Sequence, residues 1–213
     1  EPALLIVGGP GTGKTAFVRG LARAARTGEL PALAGFRFPQ LRILDLVSQS
    51  HRGQDIHGLM GQLLEHIASE PAGVLVVDDL HMLVAKQGYP MISDVIDTLK
   101  MHIKRGRLRA LLTVDTAEYE KNFSGDGFFV SEITVKRLPA LERPQLVEIL
   151  RGFRPRLEQH FHVSIREDAV EMAVDLSMQE QKPEYLLPGS AIRRLDEACA
   201  MARAAGSKET TAA

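Results

Sequence analysis

Directly after the apolar run Ala3-Leu4-Leu5-Ile6-Val7 come eight residues, Gly8-Gly9-Pro10-Gly11-Thr12-Gly13-Lys14-Thr15, and an amphipathic run begins at Ala16. Strand, glycine-rich loop, helix is the setting in which the pattern GxxxxGK[ST] wraps a phosphate, and every specified position of that pattern is matched. Glycines let the backbone approach the anion closely, while successive N–H groups and the amino end of the next helix point at it. Lys14 then supplies a mobile positive charge for β- and γ-phosphates, and Thr15 a hydroxyl for Mg²⁺. The candidate nucleotide-binding residues are therefore Gly8, Gly9, Pro10, Gly11, Thr12, Gly13, Lys14, Thr15 and Ala16.

The rest of the chain alternates strands with helices. Phe17, Val18, Leu21, Ala22 and Ala25 recur at helical spacing, and Gly28 with Pro31 closes that helix. Leu41 to Leu46 reads as a short strand, followed by the polar loop Ser48 to Gly53. Ile56, Leu59, Met60, Leu63, Leu64 and Ile67 form one apolar helix face. Gly73 to Val77 is a continuous apolar run, as expected of a strand buried on both faces. A helix carrying Ile92, Val95, Ile96, Leu99 and Ile103 precedes a further buried strand, Ala110 to Val114, and Ser131 to Val135 is expected as the fifth. Such alternation gives an α/β fold, a doubly wound parallel sheet of five strands.

Beyond Pro139 only helices are expected: Glu142 to Phe161, kinked or interrupted at Pro155, then Glu167 to Ser177 and Gly189 to Ala205. The division is an α/β nucleotide-binding domain over 1–138, a small all-helical domain over 139–205, and a small polar tail over 206–213 expected to be disordered.

The apolar run ending at Val77 leads into Asp78-Asp79, at the carboxyl end of a strand, where ligands bind in open parallel sheets. Asp78 would hold Mg²⁺ through its water shell, and Asp79 would lie next to an attacking water.

The run Val74 to Val84, with Asp78-Asp79 inside it, resembles the Walker B segment of the first ATPase module of Clp-type AAA+ unfoldases. The resemblance extends in order over nearly the whole chain, through Arg107-Leu108-Arg109, Glu118-Tyr119, Ile149-Leu150-Arg151-Gly152, Leu187-Pro188 with Ala191-Ile192, and Asp196-Glu197-Ala198. It implies an AAA+ fold with a helical lid, ATP or ADP with Mg²⁺ as ligands, and Ile149, Ala191 and Ile192 as further nucleotide-binding candidates from the lid. It also implies a homo-oligomeric ring in the full-length protein and a protein substrate gripped by a pore loop near His51. Lys14, Asp79 and Asp115 are the candidate catalytic residues, with Thr15 and Asp78 at the metal.

The chain departs from that family at working positions. Walker B carries Asp79 where the family has glutamate, which shortens the water-activating side chain by a methylene. The pore-loop tyrosine position falls on His51, ahead of Arg52-Gly53. The paired arginines that complete a neighbour's site fall on about Phe128-Phe129, and no arginine occurs between Arg109 and Arg137. The last threonine of the sensor after the fourth strand falls on Asp115, with Thr113 and Thr116 nearby, and an acid there would repel a γ-phosphate unless protonated or paired with metal. The sensor-two lysine falls on about Ser190, with Arg193 and Arg194 one turn later. Two readings stay open: an ATP-hydrolysing motor module, and a nucleotide-binding, hydrolysis-poor scaffold or regulatory module.

Composition narrows the partners. With 45% hydrophobic and 25% charged residues, a net charge of -1 and a pI near 6.8, nothing points to nucleic acid. The basic stretch Lys104 to Arg109 reads as a solvated helix end. A single cysteine, Cys199, excludes an internal disulfide and suits a reducing cytoplasm, with a buried packing role. Seven histidines show no zinc-type spacing with cysteine, no G-x-S-x-G is present, and no apolar run reaches the ~20 residues of a membrane span. Because Glu1-Pro2 opens the chain immediately before the first strand, a piece of a longer protein is expected.

Overall fold

The computed structural model describes residues 2–41, 56–84, 90–180 and 186–210. Two compact units are found: Glu1–Gly8 with Lys14–Leu138, and Gly9–Gly13 with Pro139–Ala213.

The first unit is built on a parallel sheet of five strands: β1 (Ala3–Val7), β2 (Gln40–Leu41), β3 (Val74–Val77), β4 (Arg109–Val114) and β5 (Thr134–Arg137), in the order β2-β3-β4-β1-β5. Alternate side chains serve opposite faces. Leu5 and Val7 of β1, Leu75 and Val77 of β3, and Leu112 and Val114 of β4 belong to one cluster. Ile6, Val76 and Leu111 belong to the other, the period-two partition of a sheet covered on both sides. Helix α2 (Ile56–Ser69) contributes Met60, Leu64 and Ile67 to the larger core, and α3 (Pro90–Lys104) contributes Val95, Leu99 and Ile103. Helix α1 (Lys14–Thr27) covers the other face through Val18, with Leu21 partly buried. These two cores are the doubly wound arrangement expected from the alternation.

One strand boundary moved, and another expected strand lies partly outside the described residues. Of the strand expected over Leu41 to Leu46, Leu41 belongs to β2 and 42–46 lie outside the described residues. The fifth strand runs from Thr134 to Arg137 rather than from Ser131 to Val135, because Gly127–Ser131 forms a short helix, α5, capped by Asp126 through Phe128 N–H at 2.9 Å. Another short helix, α4 (Thr116–Asn122), follows β4. The basic stretch at Lys104 is indeed a helix end, closed by Gly106 in the left-handed region.

In the second unit, α6 (Arg143–Phe161), α7 (Glu167–Gln179) and α8 (Gly189–Ala204) enclose a core of Leu146, Leu150, Val170, Val174, Leu195 and Cys199. Helix α6 continues through Pro155 without interruption, and begins with a reciprocal capping box between Glu142 and Gln145. The lid is not entirely helical, and within the tail expected to be disordered Glu209 and Thr210 form a strand. Strand β6 (Ser164–Ile165) pairs with β7 (Glu209–Thr210), Ser164 N–H donates to Lys208 C=O at 2.7 Å, and Thr210 is 2% exposed. Backbone pairing and burial of this one threonine order a stretch whose composition carries no strand signal. Cys199 is fully buried, and burial pushes its thiol up to about 11, in keeping with a packing role.

Phe129, 1% exposed, meets Phe123 edge-on at 4.8 Å between ring centres, whereas Phe128 is only partly buried. Phe129→Ala is therefore expected to cost about 3–5 kcal/mol and Phe128→Ala clearly less. Urea unfolding of the two variants checks this, and equal losses would contradict the packing described.

Candidate functional site

Sheet register brings the sequence candidates of the first unit together. Strand β1 pairs with β4 so that Val7 lies opposite Val114, and Gly8 N–H donates to Val114 C=O at 3.3 Å. The residue after β4, Asp115, is thereby placed beside the start of the glycine-rich loop. Strand β3 pairs with β4 through Val77 and Leu112. One residue further on, Asp78 meets Thr113 on the face that α1 covers.

Two linked clusters result. In the first, Thr15 Oγ1 donates to Asp78 Oδ2 at 2.8 Å, and Thr113 Oγ1 donates to Asp78 Oδ1. Thr113, with no exposed surface, also accepts from Asp79 N–H at 3.0 Å. In the second, Lys14 Nζ donates to Gly8 C=O at 3.0 Å and is ion-paired with Asp115 Oδ1. The Lys14 side chain is 8% exposed and that of Asp115 27%, so this pair is far better shielded than a surface ion pair. Asp115 occupies the N-cap of α4 but makes no side-chain cap bond. An aspartate there ordinarily accepts from the helix's own N–H groups; here its carboxylate is committed to Lys14.

Asp79 sits in the left-handed region, at φ 55° and ψ 55°, and opens a 3-10 turn over Leu80–Leu83. Aspartate tolerates this conformation better than most residues. Burial pushes its carboxyl above the usual range, and the neighbouring charge of Asp78 adds to this, partly offset by His81 and Lys14.

The donor set suits a Mg²⁺ carried with a nucleotide. Thr15 and Asp78 offer hard oxygen ligands already aimed at each other, and Mg²⁺ is held by one or two such groups plus phosphates and water. Among the described residues no group of three or more His, Cys, Asp or Glu side chains is placed to hold a metal alone.

The loop itself shows the backbone that its glycines anticipate. Gly11 and Gly13 have φ of 81° and 96°, and Thr12 Oγ1 donates to Gly9 C=O at 2.8 Å. Within the second unit, Leu186 N–H donates to Pro10 C=O at 2.9 Å and Gly189 N–H to Gly11 C=O at 3.0 Å. A Cβ on Gly11 would lie 2.8 Å from the Leu186 carbonyl, so glycine is required there on two counts. Pro10 and Ala16 are exposed. Ala191 has no exposed surface and is a core residue of the lid, while Ile149 and Ile192 are partly buried against that core.

Other candidates fall elsewhere. His51, Arg52 and Gly53 lie outside the described residues. Arg194 is ion-paired with Glu180, and the Ser190 hydroxyl is buried without a hydrogen-bond partner among the described residues. Beside Phe128 and Phe129 the sequence reading missed a cation: Lys100 Nζ lies 5.2 Å from the Phe129 ring centre and 5.8 Å from that of Phe128, and is paired with Asp126 at 2.5 Å. Thr113 as the anchor of both Asp78 and Asp79 was also missed; the parity of β4, which puts a hydroxyl among buried apolar residues, is the signal that could have found it. A wide groove of about 680 Å³ lined by Glu65, Glu70, Arg107 and Arg109 lies at the amino ends of β3 and β4, away from these residues.

Comparisons with known proteins agree with this geometry. Residues 4–124 match the ATPase family associated with various cellular activities (AAA), and residues 142–213 match the AAA lid domain. The chaperone protein ClpB of Bacteroides thetaiotaomicron is 32% identical over 203 residues, covering 93% of this chain and 23% of that protein. The ATP-dependent Clp protease ATP-binding subunit ClpC of Staphylococcus aureus is 30% identical over 200 residues, again 93% of this chain and 24% of the relative. A closed-state reconstruction of Hsp104 with ATPγS and FITC casein superposes with a TM-score of 0.84 at 27% identity, covering 98% of this chain and 37% of that one. The S. cerevisiae Hsp104-ADP complex gives 0.81 at 27% identity, covering 95% and 28%. The chain thus spans about a quarter of the length of these curated relatives. Among the described residues no helix is long and apolar enough to cross a membrane.

The raised Asp79 carboxyl has a measurable consequence. The folded chain binds that proton more tightly than the unfolded chain, so this contribution to stability is fully present below the ordinary carboxylate value and is lost as pH rises through the raised folded value. Asp79→Asn keeps the shape and the tolerance for left-handed backbone while removing the charge. Its thermal midpoint is expected to exceed that of the parent by a few degrees near pH ~7, with the gap closing near pH ~3, where the parent carboxyl is protonated. Calorimetric melts at the two pH values decide; no gain near neutrality would contradict the crowding of Asp79.

Proposed function

The chain belongs to the AAA family of ATPases as a Clp-type AAA+ module, and from that premise we propose that it binds Mg-nucleotide and turns it over slowly within a larger protein-remodelling machine. The observation that carries this reading is the ion pair between Lys14 and Asp115. In phosphoryl transfer the loop lysine must spread charge from the β- and γ-phosphates. Here a fixed carboxylate on the same ammonium opposes that role.

The residues divide the work as follows. Backbone N–H groups of Lys14 and Thr15, at the amino end of α1, would meet the phosphates. Thr15 and Asp78 would hold Mg²⁺ with its water shell, and that ion would neutralise phosphate charge. Thr113 fixes Asp78 and the Asp79 backbone through its one hydroxyl. Asp79 would orient the attacking water, but with a shorter side chain than the glutamate of related modules. A misplacement of about 1 Å can cost on the order of 10²-fold in rate. An arginine finger is worth about 10³–10⁵ in related enzymes, and at the corresponding position stand Phe128 and Phe129. Lys100 lies near them but is already paired with Asp126.

A second reading, an actively hydrolysing motor module, is favoured by the intact Thr15–Asp78–Thr113 arrangement. In either case the full-length protein would supply ring contacts and a protein substrate, the latter through the segment near His51. A cytoplasmic setting suits a chain whose single cysteine is buried and unpaired. Nucleic acid remains without support in the charge balance.

Lys14→Ala is expected to weaken Mg-ADP binding at least tenfold by titration calorimetry, since a charge-assisted contact to phosphate is worth roughly 1.5–3 kcal/mol. Steady-state phosphate release by the unmodified chain should stay well below ~1 s⁻¹, the lower end of ordinary enzyme turnover. Unchanged affinity in the variant would remove the site, and turnover above that rate would favour the motor reading.

A further inference from the structure

We infer that Asp115 makes this a diphosphate-selective site: its carboxylate, held on the Lys14 ammonium, stands in for a γ-phosphate, so that Mg-ADP binds in preference to Mg-ATP. The inference rests on the reading of the glycine-rich loop as a nucleotide site and specifies which nucleotide that site takes.

Three observations place the carboxylate. First, the register of β1 on β4 puts Asp115 one residue past the pair Val7 and Val114, beside Gly8, so its backbone is set by the centre of the sheet. Second, Lys14 Nζ is held from two sides, by the Gly8 carbonyl at 3.0 Å and by Asp115 Oδ1. Third, Asp115 caps no N–H of its own helix, so no competing local bond draws the side chain away from the lysine.

The chemistry follows from charge. In this loop pattern the lysine reaches the β- and γ-phosphates together. An anion already on the ammonium therefore occupies ground that a terminal phosphate oxygen would take. A diphosphate leaves that ground to Asp115, and Lys14 then bridges β-phosphate and carboxylate, as it would bridge two phosphates of ATP. A triphosphate must displace the carboxylate or lie against it. Asp78 and Asp79, at the adjoining strand end, add charge of the same sign, and no arginine occurs between Arg109 and Arg137 to offset it. A like or opposite charge within about 4–6 Å shifts an equilibrium by roughly 10- to 10³-fold. The lower end applies here, because Asp115 is partly exposed.

The test compares dissociation constants of Mg-ADP and of a non-hydrolysed triphosphate analogue with nitrogen between the β- and γ-phosphorus atoms, measured by calorimetry on the chain itself. Variants are Asp115→Asn, which preserves shape and N-cap capacity, and Asp115→Glu, which preserves charge. The unmodified chain should bind the diphosphate about tenfold more tightly. Asp115→Asn should bring the two constants to within about threefold, mainly by tightening the triphosphate, and Asp115→Glu should keep a diphosphate preference. Equal affinities in the unmodified chain, a triphosphate preference, or a ratio that Asp115→Asn leaves unchanged would overturn the inference while leaving the nucleotide site standing. Failure of either nucleotide to bind, or binding that Lys14→Ala does not weaken, would instead overturn the nucleotide site, and the selectivity with it. Thermal melts of each variant confirm that the folded chain is being compared.

Discussion

The parallel pairing of β1 with β4 is the constraint on which the rest of the first unit depends. Both strands are buried on both faces, so their register cannot slip by one residue without sending Leu5, Val7, Leu112 and Val114 to the wrong core. The same register sets what leaves the carboxyl ends of the strands. Gly8 and Asp115 emerge side by side, and Asp78 emerges beside Thr113. Apolar burial, which is indifferent to chemistry, thus delivers one lysine, two threonine hydroxyls and three carboxylates to a single edge of the sheet.

That edge holds an unequal balance of charge. Thr113 offers its hydroxyl to Asp78 and accepts from the Asp79 backbone, which ties both acids to β4. Asp78 is satisfied by two hydroxyls, a state suited to receiving a cation. Asp79, in left-handed backbone with its charge partly desolvated, is the least comfortable group of the set. Lys14 is ion-paired with Asp115. A buried ammonium without a counter-charge would be strongly unfavourable, so a carboxylate after β4 is a stable solution for the nucleotide-free chain. A threonine or asparagine there would leave the lysine to wait for phosphate.

Much of this was legible beforehand because it is written in local patterns. The glycine-rich loop between an apolar run and an amphipathic run, the twin acids after Val77, and the alternation of strands with helices each follow from spacing and residue type. Strand order and register were not legible, because pairing of β1 with both β4 and β5 is a long-range choice that no local pattern encodes. Hence Asp115 could be suspected of opposing a phosphate but not seen to neutralise Lys14. Phe128 and Phe129 were equivalent in sequence, and only packing against Phe123 tells the core ring from the half-exposed one. The small strand at Glu209–Thr210 was hidden for a similar reason: a two-residue pairing has no periodicity to detect. Lys100 was hidden because it approaches Phe129 from a different helix.

The central claim is that the lysine of the phosphate loop is held by the carboxylate after β4, and that this contact outlasts diphosphate binding. Crystal structures of the chain without nucleotide and with Mg-ADP address it directly. Hydrogen-bond contact between Lys14 Nζ and the Asp115 carboxylate is predicted in both, with the β-phosphate on the same ammonium in the second. Asp115 turned away from Lys14 in the nucleotide-free crystal, or expelled from it by ADP, would contradict the account.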